Sequence, residues 1–302
     1  MKKLETIMLA LCMAASVNSW GYASPVEFSG DINLKHDDVK IQDGDRENNW
    51  ETTFRLKAQT SLGENWKAFV RYGYRHFGGD DDTPEVSKLD QYGFVYEKGE
   101  NTKVVFGVQD TILGPFGTLL DLTDNVGNAM LKGVDLQHQE KDIVYHLFAG
   151  KIDKRLFDSD SDKSAYGGEI NKTWENTTLG GEHLHISGLE SADSYYGLYI
   201  TNKFGKADLS AEYIWSSASS DKNGTVYGIS YSPTDMDTFS LTHRNIKAYA
   251  APDFDDLAGY HNEKGTELAW EHSFGQAGVL TLKYDDVSSK EKTTTLEYNF
   301  AF

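Results

Sequence analysis

Thiols are almost missing from this chain: Cys12 is its only cysteine. It follows Leu11, where processing of a lipid anchor needs a small side chain. Beyond this N-terminal stretch the sequence excludes disulfides, thiol catalysis and thiolate metal sites. Long apolar runs are missing too. The most apolar stretch, 7–17, falls short of the roughly 20 residues that a membrane helix needs. With Met1-Lys2-Lys3 before it and Gly21-Tyr22-Ala23 after it, this stretch reads as a secretory signal peptide over 1–23, cleaved after Ala23. If the chain crosses a membrane, it does so with strands. Basic charge is scarce: 29 Lys and Arg stand against 47 Asp and Glu, for a net −18. Loss of Lys2, Lys3 and Glu5 with the leader makes the remainder one unit more negative, which argues against a nucleic-acid partner. Proline is rare, at five residues, whereas glycine reaches 28 and aromatics 13% at a mean hydropathy of −0.54. A soluble β-protein and a barrel with a wet interior both fit, because only half of a barrel's strand residues face lipid.

Period-two alternation dominates 24–302 and divides it into sixteen expected strands of about 8 to 12 residues. They lie near 26–36, 50–62, 66–76, 88–97, 103–109, 129–137, 142–150, 165–174, 178–186, 194–204, 207–217, 225–232, 238–249, 266–274, 279–286 and 293–302. In the second, Trp50, Phe54, Leu56, Ala58 and Leu62 share one face, and Arg55, Lys57 and Gln59 the other. In the third, Ala68, Val70, Tyr72 and Tyr74 oppose Lys67, Arg71 and Arg75. Short links at 63–65, 205–206 and 275–278 carry turn chemistry. Long links at 37–49, 77–87, 110–128 and 250–265 are rich in Asp, Gly and Asn. Alternation of short and long sorts the turns to one end and the loops to the other, the layout of a sixteen-stranded antiparallel transmembrane β-barrel. A soluble sandwich or propeller also alternates, but has no reason to sort its connections. Nor would it repeat aromatics at strand ends, where Tyr72, Tyr74, Tyr92, Tyr96, Trp174, Trp215, Tyr231, Trp270, Tyr284 and Tyr298 suit interfacial girdles.

The last strand places Thr294, Leu296, Tyr298, Phe300 and Phe302 on one face, against Thr295, Glu297, Asn299 and Ala301. A strand ending on phenylalanine is similar to the C-terminal signal of outer-membrane barrels, which implies Tyr298, Phe300 and Phe302 as the part read by the barrel-assembly machinery. The strand count, the terminal Phe302 and the long connection after the fifth strand together resemble the general diffusion porins of Gram-negative bacteria. That resemblance implies an outer-membrane homotrimer, surrounded by lipid and lipopolysaccharide, with a water-filled channel for ions and small hydrophilic solutes. It implies no cofactor. It also implies a third loop folded into the lumen, here 110–124 with its Gly114-Pro115-Phe116-Gly117 turn, whose Asp121 and Asp124 form the acidic side of a constriction.

The basic side follows from the alternation itself. Lys35, Arg55, Lys57, Lys67, Arg71 and Arg75 fall opposite the lipid residues of the first three strands, and an Arg facing lipid at the midplane costs about 2–4 kcal/mol. All six are expected to line the lumen, with Arg55, Arg71 and Arg75 at the constriction. This placement departs from the family's usual spread, because the cluster sits on strands one to three. The fourth strand adds Gln91 and Glu97, and Lys132 falls in the lipid register.

Other chemistry is weaker. His183 and His185 share a face but have no third ligand nearby in sequence. Asp158, Asp160, Asp162 and Glu169 echo a calcium loop, except that Lys163 occupies the position where the turn needs glycine. Asp80 to Asp82 and the acidic 253–256 segment read as solvated loop tips. A hydrolase would need a serine beside a base such as His243 or His272; both fall in the lipid register, and no Gly-x-Ser-x-Gly motif exists. The chain is therefore expected to be neither an enzyme nor a metalloprotein. Two channel alternatives remain: a substrate-specific pore, for which only Phe69, Phe148 and Phe116 offer inward aromatics, and a plugged barrel acting as an adhesin or wall protein.

Overall fold

The computed structural model describes residues 25–302 apart from 43, 80–84, 124–125, 128–129, 158–159, 190–191, 255–261, 263 and 289. The proposed leader, Asp80 to Asp82, Asp124 and Asp158 thus lie outside the described residues. The strands are β1 (Glu27–Ile41), β2 (Arg46–Ser61), β3 (Trp66–Gly79), β4 (Val86–Lys98), β5 (Thr102–Gln109), β6 (Ile112–Leu113), β7 (Leu120–Asp121), β8 (Leu131–Glu140) and β9 (Ile143–Ile152). They continue as β10 (Lys163–Trp174), β11 (Thr177–Ile186), β12 (Ser194–Phe204), β13 (Ala207–Ser216), β14 (Asn223–Tyr231), β15 (Asp237–Ile246), β16 (Lys264–Ser273), β17 (Val279–Val287) and β18 (Glu291–Ala301).

Every strand but β6 and β7 belongs to one closed barrel, in which each pairs antiparallel with its neighbours in sequence and β1 closes on β18. The sixteen expected strands are these barrel strands. The short β6 and β7 form a separate hairpin within the connection from β5 to β8. Closure leaves no sheet edge, so backbone groups across the wall are satisfied internally, as a lipid environment demands.

The link expected at 37–49 is mostly strand. β1 runs to Ile41 and β2 begins at Arg46, so only 42–45 connect them. Polar composition made these residues look like a loop, but their side chains pair across the ladder. Arg46 bonds Asp38, and the Thr295 hydroxyl donates to Asp37 at 2.6 Å. The link from β17 to β18 is similarly short, 288–290. The sorting of long and short connections therefore breaks down on this side of the barrel, while 110–130 and 247–263 remain long.

The outer surface is apolar. Leu147, Leu198 and Leu268 are each more than half exposed, at 53%, 54% and 51%, and Phe28, Ile170, Leu241, Leu282 and Leu296 join them. A water-facing sheet of this extent would aggregate, whereas in a transmembrane barrel it is the lipid face. No described helix is long and apolar enough to cross a membrane.

The inner surface changes character around the ring. On β8 to β15 the inward positions include Leu131, Ile152, Leu184, Ile186, Ile214, Val226 and Ile246, all essentially fully buried, beside the buried ionisable residues Asp135, His146, Glu182, Glu212 and Arg244. The apolar ones form one cluster with Leu113, Leu119, Leu120 and Leu122 of the segment after β5 and with Leu156, Ala250 and Phe254 of two other connections. Each buried leucine contributes about 1.5–3 kcal/mol relative to exposure. Beside the start of that segment, Gly93, Gly107, Gly133 and Gly150 stand in register across β4, β5, β8 and β9. A Cβ on Gly107 would lie 2.1 Å from the Tyr92 carbonyl oxygen, so the close backbone approach requires glycine.

Candidate pore-lining site

Alternation along β2 and β3 turns Arg55, Arg71 and Arg75 inward, and neighbouring strands supply a carboxylate for each. The Arg55 Nε donates to both Asp31 oxygens at 2.9 and 3.0 Å. The Arg71 Nε and Nη2 each donate to one Asp90 oxygen at 3.0 Å, and its Nη1 stands 3.5 Å from Asp110. The Arg75 Nε and Nη2 donate to the two Glu51 oxygens at 2.8 Å. The fork of a guanidinium matches a carboxylate edge, and such paired contacts fix the side chain's direction as well as its position. Lys35 pairs with Asp37 at 2.8 Å and Lys67 with Glu97 at 2.6 Å. Farther round the ring, Arg244 pairs with Asp285 at 2.5 Å.

The partner of Arg71 escaped the sequence reading. On β4 the register shifts, so that Arg71 lies opposite Gln91 while Tyr72 lies opposite Leu89. Asp90 is the extra residue of a β-bulge, a device that re-aims a side chain. It points inward beside Gln91 with no exposed side-chain area, and accepts the Gly127 amide at 3.1 Å. One signal was there to find: Leu89 and Tyr92, both outward, stand three apart instead of two.

The acids of the loop sit differently. The Asp121 carboxylate turns to its own segment, accepting the Thr123 amide at 2.9 Å and hydroxyl at 2.5 Å. Asp110, just past β5, is the loop acid within reach of Arg71. Three inward glutamates, unremarked in the sequence as a group, underlie the Gly-Pro-Phe-Gly turn. The Gly114 amide donates to Glu169 at 2.8 Å, and the Thr118 hydroxyl to Glu212 at 2.6 Å. Gly114 has φ +70°, and a Cβ there would lie 2.7 Å from Glu182 Oε2. The Thr111 hydroxyl donates to Asp135 at 2.8 Å. The segment 111–118 is thus held by wall residues that stand opposite the lipid register.

Phe69 and Phe148 are inward and buried, as expected, but so are Tyr195 and Tyr199, which the sequence reading omitted. Tyr195 is packed in the apolar cluster and donates to the Ala192 carbonyl at 3.0 Å. His183 and His185 face outward, each against the Tyr166 ring. Asp162 accepts Lys132 at 2.9 Å, a bond that holds its carboxyl below the usual range. Glu169 belongs to the lumen side, where it holds the Gly114 amide, apart from Asp162. Among the described residues no group of three His, Cys, Asp or Glu could hold a metal ion. His243 bonds Thr266 and His272 bonds Asp237, all on the outer face. At the C-terminus, Gly30 and Phe302 exchange backbone hydrogen bonds at 2.9 Å, and the Phe302 ring stacks on Phe54 and Phe300.

A closed sixteen-stranded up-and-down barrel, apolar outside and charged within, is the architecture of the bacterial porins. Solved porin structures share that fold. A triple mutant of Rhodopseudomonas blastica porin superimposes with TM-score 0.64 at 10% identity, covering 92% of this chain and 100% of that one. A second variant of the same porin reaches 0.63 at 11% identity with the same coverage. Salmonella typhi OmpF in complex with daunomycin gives 0.63 at 10% identity, covering 92% of this chain and 97% of its own. No family model matches the sequence, and no curated protein does. At such identity the likeness shows a shared porin fold.

Proposed function

We propose that this chain is an outer-membrane porin, passing ions and small hydrophilic solutes by passive diffusion through a water-filled lumen. The observation that carries the reading is the contrast across one wall: unpartnered apolar side chains outside, and rows of paired charges inside on β1 to β5. Sixteen strands enclose more space than inward side chains fill. In this reading the segment 110–124 folds inward and narrows the lumen, supported by its bonds to Glu169, Glu212 and Asp135. Arg55, Arg71 and Arg75 then face an acidic rim to which Asp110 and Asp121 belong. A fixed field between the two favours polar solutes, which align with it, over apolar ones. Lys35, Lys57 and Lys67 line the approach. The chemistry is selection and not catalysis.

Export by a leader over 1–23, recognition of Tyr298, Phe300 and Phe302 by the barrel-assembly machinery, contact with lipopolysaccharide and assembly as a homotrimer complete the proposal. The test is single-channel recording from folded protein in a planar bilayer. Steady, ohmic steps that persist at low voltage support the pore. A bilayer that stays silent with demonstrably folded protein overturns it in favour of a closed barrel.

A further inference from the structure

Among the inward cations of β1 to β5, Lys35, Arg55, Lys67, Arg71 and Arg75 each have a carboxylate partner. Lys57, like Lys103 on β5, has no carboxylate partner among the described residues. It lies on β2 directly opposite Arg71 on β3. Its ammonium rests 5.2 Å from the centre of the Phe69 ring, which supports a cation without consuming its N–H donors. Lys103, Arg71 and Lys67 repel it, and Asp110 attracts it from beyond ion-pair range.

Lys57 lines a cavity of about 480 Å³ together with Arg55, Arg71, Gln91 and Asn299. Asp31 and Asp110 share that cavity, but Arg55 engages the first and Arg71 faces the second. The volume falls in the range of small-molecule sites. A small anion meets the Lys57 ammonium with open donors, and the side-chain amide of Asn299 in the same cavity lining.

We propose that Lys57 anchors a subsite for small oxyanions, a carboxylate or inorganic phosphate, on the charged side of the lumen. This rests on the pore reading for its role in transport, though not for binding itself. It gives a strongly acidic protein a local path for anions. A unit charge about 6 Å from a path through water changes the local anion concentration about threefold.

Two measurements on the folded full-length barrel test it. The first is line broadening of acetate (¹³C) and of phosphate (³¹P) in detergent solution, for the wild type, Lys57→Gln and Lys57→Arg, with outward Lys172→Gln as control. The subsite predicts broadening of at least one anion that Lys57→Gln abolishes and that Lys57→Arg and Lys172→Gln retain; which anion responds identifies the ligand. The second is the reversal potential under a KCl gradient, where Lys57→Gln is expected to raise the potassium-to-chloride permeability ratio by up to about tenfold, because the charge that enriches chloride about threefold depletes potassium by the same factor. Equal broadening in wild type and Lys57→Gln, or none in either, overturns the subsite even if the bilayer conducts. Broadening lost in Lys57→Gln with a silent bilayer keeps the subsite and overturns the pore. Should Lys57→Gln fail to fold, Lys57→Met, which keeps the packing on Phe69 without the charge, takes its place with the same expectations.

Discussion

Two parts of the inner wall balance charge and apolar surface differently. From β1 to β5, inward positions hold charges matched strand to strand, such as Arg55 with Asp31 and Arg75 with Glu51. From β8 to β15 they hold Leu184, Ile186, Ile214 and Ile246, packed with Leu113, Leu119 and Leu120, and between these the buried Asp135, Glu182, Glu212 and Arg244. Both parts obey the same two-residue period, so the period alone does not say which inner face is wet. An inward apolar side chain is tolerable only where other protein covers it, and the segment after β5 provides that cover on one side. On β1 to β5 the side chains satisfy one another across the ladder, and the segment after β5 adds the Gly127 amide on Asp90 and Asp110 beside Arg71.

The sharpest way to break this contrast is to put charge into the covered part. Leu120→Asp places a carboxylate among fully buried leucines and is expected to cost on the order of 4 kcal/mol. The urea midpoint of the folded barrel in lipid should fall accordingly; an unchanged midpoint would mean that 111–122 does not pack on the wall. In the charged part, Arg71→Ala strands the Asp90 carboxylate, whose side chain has no exposed area, at a cost of about 3 kcal/mol. Removing Asp90 as well should recover more than half of that loss, and a double-mutant cycle on the same unfolding curve measures the coupling. Additive effects would show that the bulge does not aim Asp90 at Arg71. The smallest effect belongs to Asp121→Ala, which loses only bonds from Thr123 and should cost less than about 1.5 kcal/mol. Its shift in ion selectivity, read from reversal potentials, should be smaller than that of Arg71→Ala, because Asp121 holds none of the wall arginines.

Much of the barrel was legible because each strand declares itself locally. Trp50, Phe54 and Leu56 against Arg55 and Lys57 fix two faces without reference to any other strand. Legibility failed where a local rule met a distant partner. The polar residues 37–49 read as a loop, yet 37–41 and 46–49 are strand, because Asp38 finds Arg46 and Asp37 finds Thr295. Asp90 went unremarked beside Gln91, because only the bulge brings it to Arg71. Tyr195 and Tyr199 were passed over because their strand alternates aromatic with apolar, and both faces looked alike.

The sequence by itself determined that this is a strand-built barrel, which side chains face outward, and that Arg55, Arg71 and Arg75 share the inner face. These follow from a backbone repeat of two residues, which acts over a few angstroms. Only the tertiary structure decided which carboxylate holds each arginine, that Lys57 is left with an open ammonium, and that an apolar cluster packs against the inner face of β8 to β15. Those outcomes depend on the register between strands and on where a long connection comes to rest. Both are set by contacts between residues far apart in the chain, which no local period encodes.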